Sequence, residues 1–328
     1  MQRILLEILA CPACKGPLQL TSEIENAGEV ESGCLDCTGC HQQYPIIRYV
    51  PRFVPAENYA DNFGFQWNKF RQTQLDSHSK LPLSRERFFV SSALTPEDLT
   101  GKTVLDVGCG AGRFAEVALQ CGAKLVALDY SSAVDACWLN LGPHPGLNVV
   151  QGDIYQLPFK PGSFEVTYCL GVLQHTTDVK MAFMALPAQL KPGGRLVVDI
   201  YRQALWHYFW PKYWLRPLTK CLAQDRLFAL VQLMVKYFLP ISLVIGRIPR
   251  LGHKLRYLVP VANHEPDWPL TPQQIREWAI LDTYDMLAPV YDQPQSAATL
   301  LSWFMEAGLS NVEIFRHGVL IGRGVKGQ

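Results

Sequence analysis

The sequence has little net charge, and it contains no internal repeat and no low-complexity tract. Its 328 residues include 30 Lys or Arg and 29 Asp or Glu, so the formal net charge is only +1. Proteins that neutralise nucleic-acid phosphates are commonly basic overall, and this chain as a whole is not. Hydrophobic residues make up 48% of the chain, which is enough for one extended domain or two.

A long uncharged apolar run is also missing. The apolar N-terminal stretch is short and is interrupted by Glu7, so it does not predict a secretory signal. In the apolar region 227–248, the longest charge-free piece is the ten residues 237–246. Crossing a bilayer takes about 20 apolar residues. The sequence therefore predicts no transmembrane helix.

The ten cysteines lack the distribution of a disulfide framework. Five of them fall between Cys11 and Cys40, and the other five are scattered through apolar segments. This usage favours a reducing compartment, so we predict a cytoplasmic protein.

Four of the clustered cysteines have the spacing of a metal site. The pairs Cys11–Cys14 and Cys37–Cys40 form two C-x-x-C knuckles, which together can complete a tetrahedral site of four thiolates. Such a site has no open position, so its role would be structural, and it would stabilise a segment too small for its own core. The alternatives are a redox pair, unligated thiols, or a ligand set in which Cys34 pairs with Cys37.

The segment VLDVGCGAGRFAEVAL is the most informative part of the chain. An apolar run ends in Asp106, a turn containing Gly108, Gly110 and Gly112 follows, and a helix-compatible stretch comes next. Glycines let the backbone approach a ligand closely, and free N–H groups at a helix start point toward it. The pattern is not the dinucleotide fingerprint, because the third small residue of that motif would fall at Arg113.

Further matches follow in order along the chain. The strand-like segment LVALD ends in Asp129, 23 residues after Asp106, and NVVQGD ends in Asp153. The segments LPF, SFEVTYCL, GVLQHT and LKPGGRLVV come next. Together they resemble the class I S-adenosylmethionine-dependent methyltransferases over about a hundred residues. Glu165 departs from the pattern, since the family usually has Asp there.

This resemblance implies an α/β fold with a Rossmann-like seven-stranded sheet and S-adenosylmethionine as cofactor. In the family, the acid at Asp129 holds the ribose hydroxyls and the acid at Asp153 contacts the adenine amino group. The residues that the resemblance places at the cofactor are Asp106, Gly108, Cys109, Gly110, Gly112, Asp129, Tyr130, Asp153, Ile154 and Leu170.

The N-terminal segment has a resemblance of its own. CPACKGPL is followed by CTGC and then by YPI, as in a small zinc-ribbon family whose members support methyltransferases as separate subunits or as fused modules. This resemblance favours one structural zinc ion over the alternatives, and it implies that the ligands are Cys11, Cys14, Cys37 and Cys40.

The helix expected at 61–70 carries Phe63, Trp67 and Phe70 on one face, either packed across the sheet edge or acting as a lid over the cofactor. Near the C-terminus, a helix at 296–307 and two strands are expected to complete the sheet. We therefore predict five segments: a zinc-ribbon module (1–55), a linker with a helical lid (56–98), a cofactor-binding core (99–200), a helical cap inserted after strand five (201–295), and the final helix and strand pair (296–328).

The inserted segment carries most of the positive charge. Residues 201–260 contain ten Lys or Arg and one acid, Asp225, so their net charge is +9 and that of the remaining chain is −8. This composition fits an apolar cap with a solvated basic face, a membrane surface or lipid-like substrate, or another anionic partner such as RNA. Aromatic residues are interleaved with the basic ones: Trp206, Tyr208, Phe209, Trp210, Tyr213, Trp214, Tyr237 and Phe238.

We predict an enzyme that transfers a methyl group to a small-molecule or lipid-like acceptor, in peripheral contact with a membrane through 201–260. If the acceptor is a hydroxyl, His175 is the candidate base because it follows strand four at the ligand-binding edge; a structural histidine is the alternative. Tyr291 is a second candidate, and Asp292 and His264 are weaker ones. An RNA methyltransferase is disfavoured because no N/D-P-P-Y/F tetrapeptide follows strand four. A non-catalytic scaffold is the third possibility.

Overall fold

The chain folds around two β-sheets, which a computed structural model describes for residues 1–55, 58–204, 210–265 and 267–328. The smaller sheet is antiparallel, with the strand order β1-β2-β3-β4, and follows a short 3₁₀ helix at Arg3–Glu7. Its strands are Leu18–Asn26 (β1), Glu29–Cys37 (β2), Gln43–Ile47 (β3) and Val50–Pro51 (β4).

The larger sheet has seven strands in the order β10-β11-β9-β8-β5-β6-β7. Strands β5 to β9 are parallel, and β11 runs antiparallel between β9 and β10. This is the seven-stranded sheet that the sequence predicts. The strands are Thr103–Val107 (β5), Lys124–Asp129 (β6), Leu147–Gln151 (β7), Phe164–Cys169 (β8), Leu190–Ile200 (β9), Leu309–His317 (β10) and Val319–Lys326 (β11).

Both faces of the larger sheet are covered, which explains why its strands are almost continuously apolar. Successive side chains point to opposite faces, so Leu105 and Val107 belong to one core cluster whereas Val104 belongs to the other. The first cluster also receives Phe183 from one flanking helix, and the second receives Phe114 from another.

Twelve α-helices accompany the sheets in the described ranges. Four precede the large sheet, at Asp61–Lys69 (α1), Asp76–Ser79 (α2), Leu83–Ser92 (α3) and Pro96–Leu99 (α4). Four flank it, at Arg113–Gln120 (α5), Ala133–Leu141 (α6), Val179–Ala185 (α7) and Ala297–Glu306 (α12). The other four form the inserted segment, at Pro211–Thr219 (α8), Gln224–Gly246 (α9), Gly252–Leu255 (α10) and Pro272–Leu287 (α11).

Helix α1 lies between the sheet and the inserted helices. Phe63 packs on His175, with ring centroids 5.2 Å apart, whereas Phe70 packs on Phe228 of α9 at 5.9 Å. The prediction that Phe70 shares a face with Phe63 and Trp67 is therefore wrong. The helix ends at Lys69, so Phe70 turns away and joins the apolar cluster of the insertion.

Helix α9 bears on the expectation that the chain has no transmembrane helix. It is one continuous helix of 23 residues, and by length and composition alone it could cross a membrane. A count of charge-free residues missed it because Lys236 interrupts the run. The helix packs with α11 around the buried residues Val231 and Leu287. Three predicted aromatic residues of this insertion, Trp206, Tyr208 and Phe209, lie outside the described residues.

Ion pairs within the folded chain also reduce the positive charge that the insertion exposes. Lys212 and Arg216 are buried and both bind Asp292. Arg256 is buried as well and pairs with Asp267. Acids beyond residue 260 therefore neutralise three of the cations that the sequence count assigns to residues 201–260.

Candidate functional site

The carboxyl ends of the parallel strands converge at a loop of three glycines. The loop 108–112 joins β5 to α5, and Gly108, Gly110 and Gly112 all have positive φ angles, of 83°, 52° and 95°. A Cβ atom at Gly108 would lie 2.2 Å from the Val172 side chain. A Cβ atom at Gly110 would approach the Trp67 indole to 3.2 Å. Both the backbone conformation and the space therefore require glycine.

Asp129 ends the neighbouring strand and holds this loop. Its Oδ2 accepts a hydrogen bond from the Gly110 amide at 2.9 Å, and its Oδ1 accepts from the Ser131 amide and hydroxyl at 2.8 and 2.7 Å. Burial raises the pKa of Asp129, and these hydrogen bonds oppose the rise. An ionised carboxylate accepts about four hydrogen bonds, so capacity remains for a ligand hydroxyl.

Asp106 lies beneath the loop and is buried. Among the described residues its Oδ2 has no hydrogen-bond partner. Burial raises the pKa of this carboxyl well above its ordinary range. The nearby Tyr168 hydroxyl partly opposes this rise.

Asp153 follows β7 and caps the short 3₁₀ helix Ile154–Gln156, accepting from the Tyr155 amide at 2.9 Å. Burial raises the pKa of Asp153 as well. The next residue, Ile154, faces the cavity that opens in front of the glycine loop.

That cavity has a volume of about 1720 Å³. Ligand pockets are typically about 300–1,000 Å³, so this one has room for a cofactor and an acceptor side by side. Of the ten residues predicted at the cofactor, seven line it: Gly108, Cys109, Gly110, Asp129, Tyr130, Ile154 and Leu170. The other three, Asp106, Gly112 and Asp153, are each next in the chain to a lining residue.

A further part of the lining comes from α1 and the insertion. Phe63 and Trp67 come from α1, and Trp210, Lys212 and Tyr257 come from the inserted segment. The Trp210 and Tyr257 rings stack with centroids 5.5 Å apart. This part of the lining therefore combines aromatic rings with charged side chains.

His175 also lines the cavity and is 7% exposed. Its Nδ1 lies 2.9 Å from the carbonyl oxygen of Tyr291. Because a carbonyl oxygen only accepts, Nδ1 carries the proton and Nε2 keeps its lone pair. Burial lowers the pKa of His175, and the nearby carboxyl of Asp285 opposes this. The imidazole is thus held neutral, in one tautomer.

Tyr291, the other predicted catalytic residue, is held near His175 but does not line the cavity. Its ring meets Tyr59, a lining residue, edge-on at 5.8 Å. Its carbonyl also accepts from Arg216 at 2.6 Å, and Asp292 binds both Arg216 and Lys212 at 2.5 and 3.1 Å. The 289–292 segment therefore fixes His175 through its backbone.

The sequence analysis ranked His264 as a weaker candidate and did not identify its partner, Asp282. His264 Nε2 lies 2.5 Å from Asp282 Oδ2, and its ring stacks on Trp268 with centroids 4.2 Å apart. All three residues line the cavity. The pattern D-x-x-D on α11, Asp282 and Asp285, is the signal that places two acids on one helical face.

The four predicted zinc ligands come together at the tip of the small sheet. The Sγ atoms of Cys11, Cys14, Cys37 and Cys40 all lie within 4.8 Å of one another. Zinc–sulfur bonds of about 2.3 Å in a tetrahedron would place sulfurs about 3.8 Å apart, so the set fits a zinc ion. Cys34 is outside this cluster, with its Sγ 3.8 Å from Asp36 Oδ1.

Comparison with known families agrees with both halves of this arrangement. Residues 105–198 match the family described as a methyltransferase domain, and residues 2–48 match the family of Trm112p-like proteins. The chain therefore carries a domain of the methyltransferase family and, before it, a Trm112p-like module.

Individual curated relatives match about a third of this chain. The ubiquinone biosynthesis O-methyltransferase of Xanthomonas euvesicatoria pv. vesicatoria is 33% identical over 125 residues, which are 37% of this chain and 50% of that protein. The demethylmenaquinone methyltransferase of Thermobifida fusca is 35% identical over 123 residues, 36% of this chain and 52% of that protein. The chain spans about half the length of these curated relatives.

A solved complex between the Haloferax volcanii Trm112 methyltransferase activator and a methyltransferase also aligns. It covers 82% of this chain and 99% of that chain, with a TM-score of 0.47 and 14% identity.

The Trm112p-like module packs on the methyltransferase domain beside the cofactor-side loop after β7. Lys15 Nζ donates to the carbonyl of Leu157 at 2.8 Å. Arg52 binds Asp135 of α6 at 2.7 Å and the side chain of Gln151 at 3.0 Å. The module therefore contacts and supports β7 and the loop after it, which carries Asp153 and Ile154.

Proposed function

We propose that this chain transfers a methyl group from S-adenosylmethionine to a small, lipid-like acceptor. The observation that carries the proposal is one cavity lined by two kinds of residue. The glycine loop and Asp129 fit a nucleoside with a charged amino-acid tail. Aromatic residues of α1 and of the insertion 201–295, which we propose caps the acceptor, line the same cavity.

The relatives support the acceptor class. Two of them are named for ubiquinone biosynthesis and for demethylmenaquinone, both quinones, and the first is named an O-methyltransferase. An acceptor of this kind would pack against Trp210 and Tyr257, whose stacked rings offer apolar surface at the cavity wall.

Each site residue has a task in this proposal. Asp129 accepts from the ribose hydroxyls, Asp153 accepts from the adenine amino group, and the glycine loop brings its amides close to the ligand. When bound, S-adenosylmethionine supplies an electrophilic methyl group on a sulfonium. The protein contributes orientation, since holding two reactants in line can supply about 7–11 kcal/mol.

His175 removes the proton of the acceptor hydroxyl. Its Nδ1 proton is committed to the Tyr291 carbonyl, so the Nε2 lone pair is the one available to a substrate. Because burial lowers its pKa, the imidazole is unprotonated at neutral pH, as a general base must be. Tyr291 positions His175 through its carbonyl, and its phenol remains a weaker catalytic candidate.

The remaining assignments complete the proposal. One zinc ion bound by Cys11, Cys14, Cys37 and Cys40 stabilises the Trm112p-like module without taking part in catalysis. The protein is cytoplasmic and contacts a membrane peripherally through residues 201–260.

Transfer of a labelled methyl group tests the function. Purified protein and labelled S-adenosylmethionine are added to a cell extract, which is then separated into organic-soluble, aqueous and RNA fractions. We expect label in the organic-soluble fraction, and none there with the Gly110→Val variant. Label in RNA would instead identify an RNA methyltransferase. Cofactor binding without transfer to any fraction would favour a non-catalytic scaffold.

A further inference from the structure

Helix α9 presents apolar side chains on two sides. Its inner side is buried with α11, as Leu227, Val231 and Val235 show. Its outer side carries a row of apolar residues spaced three or four positions apart, which places them on one helical face. We call this row the exposed stripe: Leu230, Leu233, Tyr237, Ile241 and Val244, between 37% and 68% exposed.

A surface helix normally keeps its outer face polar, and α9 does not. Only 28% of its most apolar stretch is buried. Of the 23 exposed large hydrophobic side chains in the described ranges, fourteen lie between Trp214 and Leu258. Such a concentration marks a contact surface rather than scattered surface residues.

The chain after α9 continues this surface and turns back on the helix. Gly252 allows the close approach, because a Cβ atom there would lie 2.4 Å from the Ile245 carbonyl oxygen. The segment 253–258 exposes Leu255, Tyr257 and Leu258. It also lines the cavity through Tyr257 and Leu258. One segment therefore belongs both to the cavity wall and to the exposed apolar surface.

Uncompensated positive charge accompanies this surface. The described residues supply no ion pair to five exposed cations there, although four others nearby are paired. Between 210 and 260 the sequence contains one acid, Asp225. The five cations are Lys220, Arg226, Lys236, Arg250 and Lys254.

We infer that the exposed stripe and the segment 253–258 dock on an anionic lipid bilayer, so that the cavity opens at the membrane surface. Apolar side chains enter the interfacial region, and the basic residues meet lipid phosphates. The inner side of α9 stays packed on α11, so the helix lies along the membrane and does not cross it. The lipid surface deepens the proposed function, on which it rests, because it supplies an apolar acceptor directly to the cavity.

Co-sedimentation with vesicles tests the inference on the full-length protein. We expect binding to vesicles of equal parts phosphatidylcholine and phosphatidylglycerol, weaker binding to phosphatidylcholine alone, and weakening by salt. Neutralising Arg226 and Lys236 with glutamine should weaken partitioning about fivefold for each residue. The matched control is Lys124→Gln, an exposed lysine on the core, which should bind like wild type.

The stripe itself is tested by the pair Leu233→Glu and Val244→Glu. We expect this double variant to lose vesicle binding. The matched control carries Leu139→Glu and Met305→Glu, at positions equally exposed on core helices, and it should keep binding. Affinity for S-adenosylhomocysteine, measured by calorimetry, should be unchanged in both and shows that each variant is folded.

Two results would overturn the inference, and with it the proposed membrane contact, while leaving the proposed methyl transfer intact. One is wild-type protein that binds S-adenosylhomocysteine but ignores anionic vesicles at low salt. The other is a dimer in solution that the stripe variant converts to a monomer without any vesicle binding, which would make a second copy the occupant. Vesicle binding without cofactor binding would instead refute the proposed function and retain the membrane surface.

Discussion

The Trm112p-like module and the inserted helices are both added to the large sheet, but they differ in how much of their apolar surface is buried. The module buries its apolar side chains: Leu5, Leu9 and Phe53 lie in one core cluster with the large sheet. The inserted helices bury one side around α9 and α11 and leave Leu233 and Val244 more than half exposed.

The difference separates two uses of an added segment. A module whose partners all lie in its own chain stabilises that chain, here the strand and loop after β7. We infer that helices with an uncovered apolar row next to a cavity bind a partner outside the chain. The predictions below test this difference between the two segments, in order of decreasing effect.

Removing the metal from the module should have the largest effect. Structural zinc in small domains contributes about 10–16 kcal/mol of binding free energy, and the module has a small core of its own. Cys37→Ser should lose the zinc and unfold residues 1–55, as measured by metal analysis and hydrogen exchange. Cys34→Ser is the control, and zinc loss in that variant instead would move the site.

Replacing the proposed general base, His175, should lower the rate of methyl transfer without changing the affinity for the cofactor product. His175→Gln should lower kcat by about 10²- to 10⁴-fold and leave affinity for S-adenosylhomocysteine unchanged. The base acts deprotonated and burial lowers the pKa of His175, so the wild-type rate should be flat at neutral pH and fall only below about pH 6.5.

The acid limb of that profile should disappear in His175→Gln. His264→Gln is the matched variant in the same cavity. If His264→Gln abolished the limb and His175→Gln did not, the base would be His264 with Asp282.

Removing the ribose acceptor should weaken the cofactor more modestly. Asp129→Asn keeps the size of the side chain but removes its charge, and hydrogen bonds to charged groups contribute about 1.5–3 kcal/mol. Calorimetry with S-adenosylhomocysteine should show a loss of about 10- to 150-fold. An affinity equal to wild type would remove Asp129 from the cofactor site.

The smallest expected changes in stability come from breaking one ion pair in each of the two added segments. Arg52, 10% exposed, binds Asp135 across the module boundary, whereas Arg247, 69% exposed, binds Glu265 on the insertion. Arg52→Met should destabilise the protein by about 1–3 kcal/mol, and Arg247→Met by less than about 1 kcal/mol. Urea unfolding measures both, and the reverse ranking would contradict an inward-facing module.

Local pattern was enough to predict the core, because each parallel strand there is one short apolar run. The sequence places Asp129 at the end of LVALD, and β6 ends at that residue. The four cysteines were chosen over Cys34 by resemblance, and the structure groups the same four. The domain boundaries and the individual cofactor roles stay predictions.

Ion pairs between residues far apart in the sequence could not be predicted from local pattern. Arg216 and Asp292 are 76 residues apart in the chain and meet in the interior, so counting charge from 201 to 260 overstated the basic surface. Reversing Arg256 would likewise break a buried pair with Asp267 rather than test a surface. Phe70 left its predicted face because the helix ended one residue earlier, which local periodicity does not resolve.

Hydrogen–deuterium exchange of the full-length protein, with and without S-adenosylhomocysteine, tests most directly whether the glycine loop and helix α1 share one ligand cavity. The account predicts slower exchange in the glycine loop 108–112 and in α1, where Trp67 faces Gly110, with no change in β1 and β2 of the module. Protection of the module alone, or no protection at the loop at saturating ligand, would contradict it.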